Sequence, residues 1–258
     1  MDRLQILEGD RVGDRMSQSL PQYPTAARFE RENVLPYALL GMTAVTGLVD
    51  AVSFLSLGHV FTANMTGNVV FLAFAIAGVP GLSIARSSCA LGAFLVGAVV
   101  GGRTMADRDS DSQLRWALLA FALELALLSM ASLISIGYRG PDASTAQLYS
   151  LIVLTGLAMG IRNASIRKLA VPDLTTTVLT LTLTGLAADS SLAGGDNPRW
   201  QRRSGSVIAM FVGAGLGAVL VRNSLALTLG VSVAVLFVCS VALSLSDRVR
   251  STRSKATA

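Results

Sequence analysis

Eight apolar segments, at about residues 34–57, 60–82, 84–102, 114–137, 147–167, 173–192, 205–221 and 224–246, take up most of the 258 residues. Several reach the roughly 17–25 residues that a helix needs to cross the hydrocarbon of a bilayer. Hydrophobic residues make up 52% of the chain and charged ones only 14%. A soluble domain of this length needs far more charge to cover its surface. The expected fold is therefore an all-α polytopic transmembrane bundle in contact with lipid.

Composition also removes several function classes. Cys89 and Cys239 both lie in apolar segments and read as small packing residues, not as a disulfide or a metal pair. A single histidine, His59, argues against a histidine-based metal centre, so neither a metal nor another cofactor is expected. The net charge of +5 is no sign of nucleic acid, because membrane proteins collect Lys and Arg in cytoplasmic loops. Residues 1–32 alternate arginines with acids, lack the apolar core of a secretion signal and read as a disordered cytoplasmic tail. Residues 33–247 form the transmembrane domain, and 248–258 read as a basic cytoplasmic tail.

The transmembrane part repeats itself. Gly47-x-x-Asp50-Ala51 recurs 113 positions later as Gly160-x-x-Asn163-Ala164. Ala93-x-x-x-Gly97-x-x-x-Gly101 recurs 116 positions later as Ala209-x-x-x-Gly213-x-x-x-Gly217. Each such row puts three small residues on one helix face, where two backbones can approach closely. Repeat one then covers about 34–137 and repeat two about 147–246.

Loop charge decides how the repeats sit. If all eight segments cross with the N-terminus inside, the inner loops hold Arg86, Arg139, Arg199, Arg202 and Arg203. The outer loops then hold six cations: Arg103, Arg108, Arg115, Arg167, Lys168 and Arg222. If the second and sixth segments instead dip in and return, the first three of those, with Arg167, Lys168, Arg199, Arg202 and Arg203, come inside. Only Arg86, Arg139 and Arg222 remain outside. The positive-inside rule favours this second arrangement, with six crossings and two broken or re-entrant segments. Three crossings per repeat make the two halves inverted, a plan common among secondary transporters.

Polar residues inside the apolar runs mark where a site should lie, because such groups are expensive in lipid and turn toward a bundle interior or a cavity. The stretch 47–68, GLVDAVSFLSLGHVFTANMTGN, carries Asp50, Ser53, His59, Asn64, Thr66 and Asn68. Asn64 and Asn68 fall on one helical face, and Gly67 between them is placed to let the helix open. Thr176, Thr180 and Thr184 form a stripe in the second half. Asp50 and Arg162 are expected at matching depth and to meet as a buried ion pair; Glu124 is a third intramembrane charge. Asp173, after Pro172, reads as a helix cap. The expected substrate or ion pathway is Asp50, Ser53, Asn64, Thr66, Gly67, Asn68, Glu124, Arg162, Asn163, Thr176 and Thr180. The packing rows are Ala93, Gly97, Gly101, Ala209, Gly213 and Gly217. No nucleotide fingerprint or catalytic constellation is present, so no enzyme is expected.

The stretch 47–68 resembles the first signature of the YoaK family of bacterial multi-pass membrane proteins. The stretch 160–190, GIRNASIRKLAVPDLTTTVLTLTLTGLAADS, is similar to its second. There the family usually has a glycine where this chain has Leu181, and a neutral polar residue where it has Arg162. The resemblance covers about residues 36–245. It implies a cytoplasmic-membrane protein with about six crossings and supplies no substrate. The residues themselves favour a small secondary carrier or permease for a small polar or ionic solute, with both termini cytoplasmic. The other reading is a membrane scaffold or regulatory protein; self-association is compatible with both.

Overall fold

A computed structural model describes residues 34–105, 113–140, 145–169 and 179–256. Among these residues the chain is all-helical, with eight α-helices and one short 3-10 turn. In order they are α1 Val34–Ser56, α2 Met65–Ile76, α3 Ile84–Thr104, α4 Gln113–Ile134, α5 Thr145–Leu169, α6 Leu179–Ala188, α7 Trp200–Val221 and α8 Leu225–Ala256. Six of them are long and apolar enough to cross a membrane. The other two, α2 and α6, have 12 and 10 residues. At 1.5 Å per residue each is about 15–18 Å long, roughly half the thickness of the hydrocarbon layer. The apolar segment at 60–82 thus contains only a short helix.

The first and fifth helices sit at the centre. Their apolar windows are 72% and 61% buried, against 17–33% for the other four spanning helices. Leu39, Met42, Val45 and Val49 of α1 pack with Phe121 and Leu128 of α4, Met159 of α5 and Leu236 of α8. Large apolar side chains such as Leu95, Val96, Phe211, Val219 and Phe237 lie on the outside, as lipid contact requires. Hydroxyls within the spans satisfy themselves on the preceding turn: Thr43 donates to Leu39 O, Thr155 to Leu151 O and Ser165 to Ile161 O.

The small-residue rows make the main interfaces, and they do so reciprocally. On α3, Gly97 lies on the backbone of Leu157 in α5, and Gly101 on Ile161 and Ala164. On α7, Gly213 lies on the backbone of Ala44 in α1, and Gly217 on Leu48 and Ala51. Leu157, Ile161 and Ala164 are 113 positions beyond Ala44, Leu48 and Ala51, the same offset that relates the two sequence motifs. From the other side, Gly47 of α1 is filled by Met210 and Ala214, and Gly160 of α5 by Phe94 and Ala98. The first helix of each half therefore docks on the small-residue helix of the other half.

Candidate functional site

At the end of α1 the chain reverses abruptly. Gly58 and His59 both take left-handed backbone angles, with φ of 83° and 61°. A side chain at Gly58 would run into the guanidinium of Arg86. Residues 60–64 then return alongside α1 without helical hydrogen bonding, so their backbone groups need other partners. Asn68, fully buried, supplies two: its Oδ1 accepts from Phe61 N–H at 2.9 Å, and its Nδ2 donates to Phe61 O. Phe54, Phe61 and Phe71 stack over the turn at centroid distances of 5.1–6.0 Å, and the His59 ring meets Phe54 edge-on at 5.3 Å.

The returning strand of backbone is what Asp50 faces. Its Oδ1 accepts from Ala63 N–H at 3.0 Å. Oδ2 makes no hydrogen bond that meets ordinary geometry, although Asp50 is only 4% exposed.

Next to this carboxyl is a cavity of about 270 Å³. Thr46 and Asp50 line it from α1, and Ala63, Asn64, Thr66 and Gly67 from the returning stretch and the start of α2. Leu179, Thr180 and Leu183 line it from α6, and Met210 from α7. Both halves contribute walls, and Asp50 is the only ionisable side chain among the described residues of the lining.

Arg162 does not meet Asp50. It pairs with Glu124 of α4, both side chains fully buried, and its Nη1 donates to Met42 O at 2.7 Å and to Thr46 Oγ1 at 3.0 Å. The expected Asp50–Arg162 pair is thus corrected to Glu124–Arg162. The physical reason is position along α1. Arg162 reaches α1 at Met42 and Thr46, about 12 and 6 Å short of Asp50 along the axis. Burying an unpaired guanidinium is prohibitive, so the arginine takes the nearest carboxylate, on α4.

Two other expectations change. Asn64 and Asn68 do not act together: Asn64 precedes α2 and lines the cavity, whereas Asn68 is occupied by the Phe61 backbone. Gly67 does not open the helix, which runs unbroken from Met65 to Ile76. It makes room for Phe61, whose ring would lie 2.7 Å from any added Cβ. The break comes before the helix, in the stretch that Asn68 ties down.

Of the expected pathway residues, the cavity gathers Asp50, Asn64, Thr66, Gly67 and Thr180. Ser53 donates to Asp50 O at 3.2 Å within α1, and Asn163 donates to Met159 O at 2.9 Å within α5. Thr176 and Asp173 lie outside the described residues. Thr46 was not singled out by sequence. It sits one turn before Asp50 on the same face of α1, and it touches both the cavity and Arg162. Leu179, Leu183 and Met210 carried no sequence signal, because apolar residues in apolar helices look alike.

A family model described as "Protein of unknown function (DUF1275)" matches residues 38–242. The chain is also 36% identical over 154 residues to the UPF0700 transmembrane protein YoaK of Bacillus subtilis (strain 168). That match covers 60% of this chain and 65% of the relative's length. No solved structure matches the chain. With six helices able to span a bilayer and a family match over most of its length, this chain belongs to the DUF1275 family, as a multi-pass membrane protein.

Proposed function

We propose that this protein is a small secondary carrier for a small polar or ionic solute, built from two inverted repeats and seated in the bacterial cytoplasmic membrane. The reading rests on one observation above the others. The cavity draws its walls from both halves of the chain, and Asp50, one of whose carboxyl oxygens is buried without a hydrogen bond, is among the lining residues. Secondary transporters commonly bind solute between inverted repeats, beside helices interrupted partway through the bilayer. The short helices α2 and α6, and the reciprocal docking of α1 on α7 and α5 on α3, support that comparison. A membrane scaffold gains nothing from leaving such a group beside an open volume, since polar groups in lipid are expensive.

In this carrier, movement of one half against the other would alternately open the cavity to each side. The chemistry is binding and release, with no covalent step and no cofactor. Purified protein in liposomes should accumulate a solute from a mixed panel of small cations, anions and neutral polar molecules, and Asp50→Asn should abolish it. Folded protein that moves none of the panel would leave the scaffold reading in its place. Orientation follows from loop charge, with both termini cytoplasmic. A reporter fused after Gly140 should read outside and one after Ser110 inside; the reverse pair of readings would invert the assignment.

A further inference from the structure

The cavity's lining is chemically lopsided, and the imbalance specifies a ligand class. We infer that the site takes a small organic monocation, a primary or secondary ammonium on a short apolar body. The inference rests on reading the cavity as a solute site, and narrows it.

Charge comes first. Among the described residues of the lining Asp50 is the single ionisable one, and its Oδ2 is buried without a hydrogen bond. The nearby guanidinium, Arg162, is already engaged by Glu124, Met42 O and Thr46 Oγ1. An anionic solute would set its charge against Asp50 with no cation among the described lining residues to answer it. An ammonium N–H supplies what Oδ2 lacks, a charge-assisted donor. The hydroxyls of Thr66 and Thr180 and the Asn64 amide add neutral hydrogen-bonding groups around it.

Size and polarity decide between a bare ion and an organic one. At about 270 Å³ the cavity is far larger than a bare alkali ion fills and approaches the size of small-molecule sites. Leu179 and Leu183 of α6 and Met210 of α7 line the same space, while the charge is supplied from α1. A solute with an ammonium at one end and a few carbons at the other matches both sides. Ligand sites of this kind combine apolar walls with a few placed polar groups.

The test uses the full chain in detergent or nanodiscs, with n-butylammonium chloride as probe. Butyramide, sodium butyrate and sodium chloride serve as comparators, read by calorimetric titration and thermal unfolding. Butylammonium should bind saturably and raise the melting temperature; the comparators should not. Asp50→Asn should weaken binding by roughly tenfold to a hundredfold, the span of one charge-assisted hydrogen bond. Leu183→Phe, which fills the apolar side without touching Asp50, should weaken it too and decides the matter if the first variant fails to fold. Absence of saturable butylammonium binding would overturn the inference. So would equal binding of butyramide, preferential binding of butyrate, or a response to sodium chloride alone that Asp50→Asn removes. Butyrate binding sensitive to Leu183→Phe would sink the cation assignment and leave the carrier reading standing. Butylammonium that binds but never accumulates in liposomes would do the opposite.

Discussion

Asp50 in the first half and Arg162 in the second occupy nearly corresponding places: the residue 113 positions after Asp50 is Asn163, and Arg162 precedes it. Around them the framework is the same, since each lies on a central helix docked on the small-residue row of the other half. The interiors differ. Arg162 is enclosed by Glu124 on α4 and by Met42 and Thr46 on α1. The Asp50 carboxyl accepts from the Ala63 amide of the returning stretch, has one oxygen without a hydrogen bond, and belongs to a residue that lines the cavity. A shared scaffold thus carries two different settings: one charge is closed off by a partner and joins helices, and the other lines a cavity. Thr46 is bonded to Arg162 and lines the cavity, but its hydroxyl donates to Met42 O and not to Asp50.

The largest expected effect tests that contrast directly. Arg162→Gln or Glu124→Gln alone leaves an uncompensated buried charge and should destabilise the protein by roughly 3–5 kcal/mol. The double variant should recover much of the loss, as measured by thermal unfolding in detergent. Asp50→Asn keeps an acceptor for the Ala63 N–H and should lose only about 1 kcal/mol. Combined with Arg162→Gln, its effect should simply add, within roughly 0.5 kcal/mol. Coupling between Asp50 and Arg162, or its absence between Glu124 and Arg162, would break the comparison.

The second prediction concerns what the halves share. A Cβ at Gly97 or at Gly213 meets backbone of the facing helix, which cannot turn aside as a side chain can. Gly97→Ala and Gly213→Ala should therefore destabilise by similar amounts, roughly 1–3 kcal/mol, and the leucine variants should lose folded protein. A large loss at one position and none at the other would show that the two interfaces are not equivalents.

The smallest effect sharpens the same point with opposite sign. Gly92 and Gly215 lie on α3 and α7 with nothing within 4 Å of an added Cβ. Gly92→Ala and Gly215→Ala should be neutral or stabilising by up to about 1 kcal/mol, because alanine favours the helix. Losses there matching those at Gly97 and Gly213 would mean that glycine is needed along the whole helix and not on one face.

Sequence by itself determined the class of fold, because lipid leaves a chain little choice. Long apolar runs had to be helices, their number bounded the crossings, and the spacing of Gly97 and Gly101, and of Gly213 and Gly217, marked the faces that pack. It also located Asp50, Asn64, Thr66 and Thr180 as residues that lipid would not tolerate facing outward. Partners were a different matter. Periodicity gives the face of a helix, but it does not give the rotation and shift of that helix against its neighbours. Tertiary packing set Arg162 against Glu124 and left Asp50 for the Ala63 amide. It turned Gly67 from a hinge into a seat for Phe61, and Asn68 from a pathway residue into a clamp on the returning backbone. It alone brought Leu179, Leu183 and Met210, apolar residues with no local mark, opposite a buried carboxyl. An ion pair or a cavity is made by side chains far apart in the chain, so it exists only once the helices are docked.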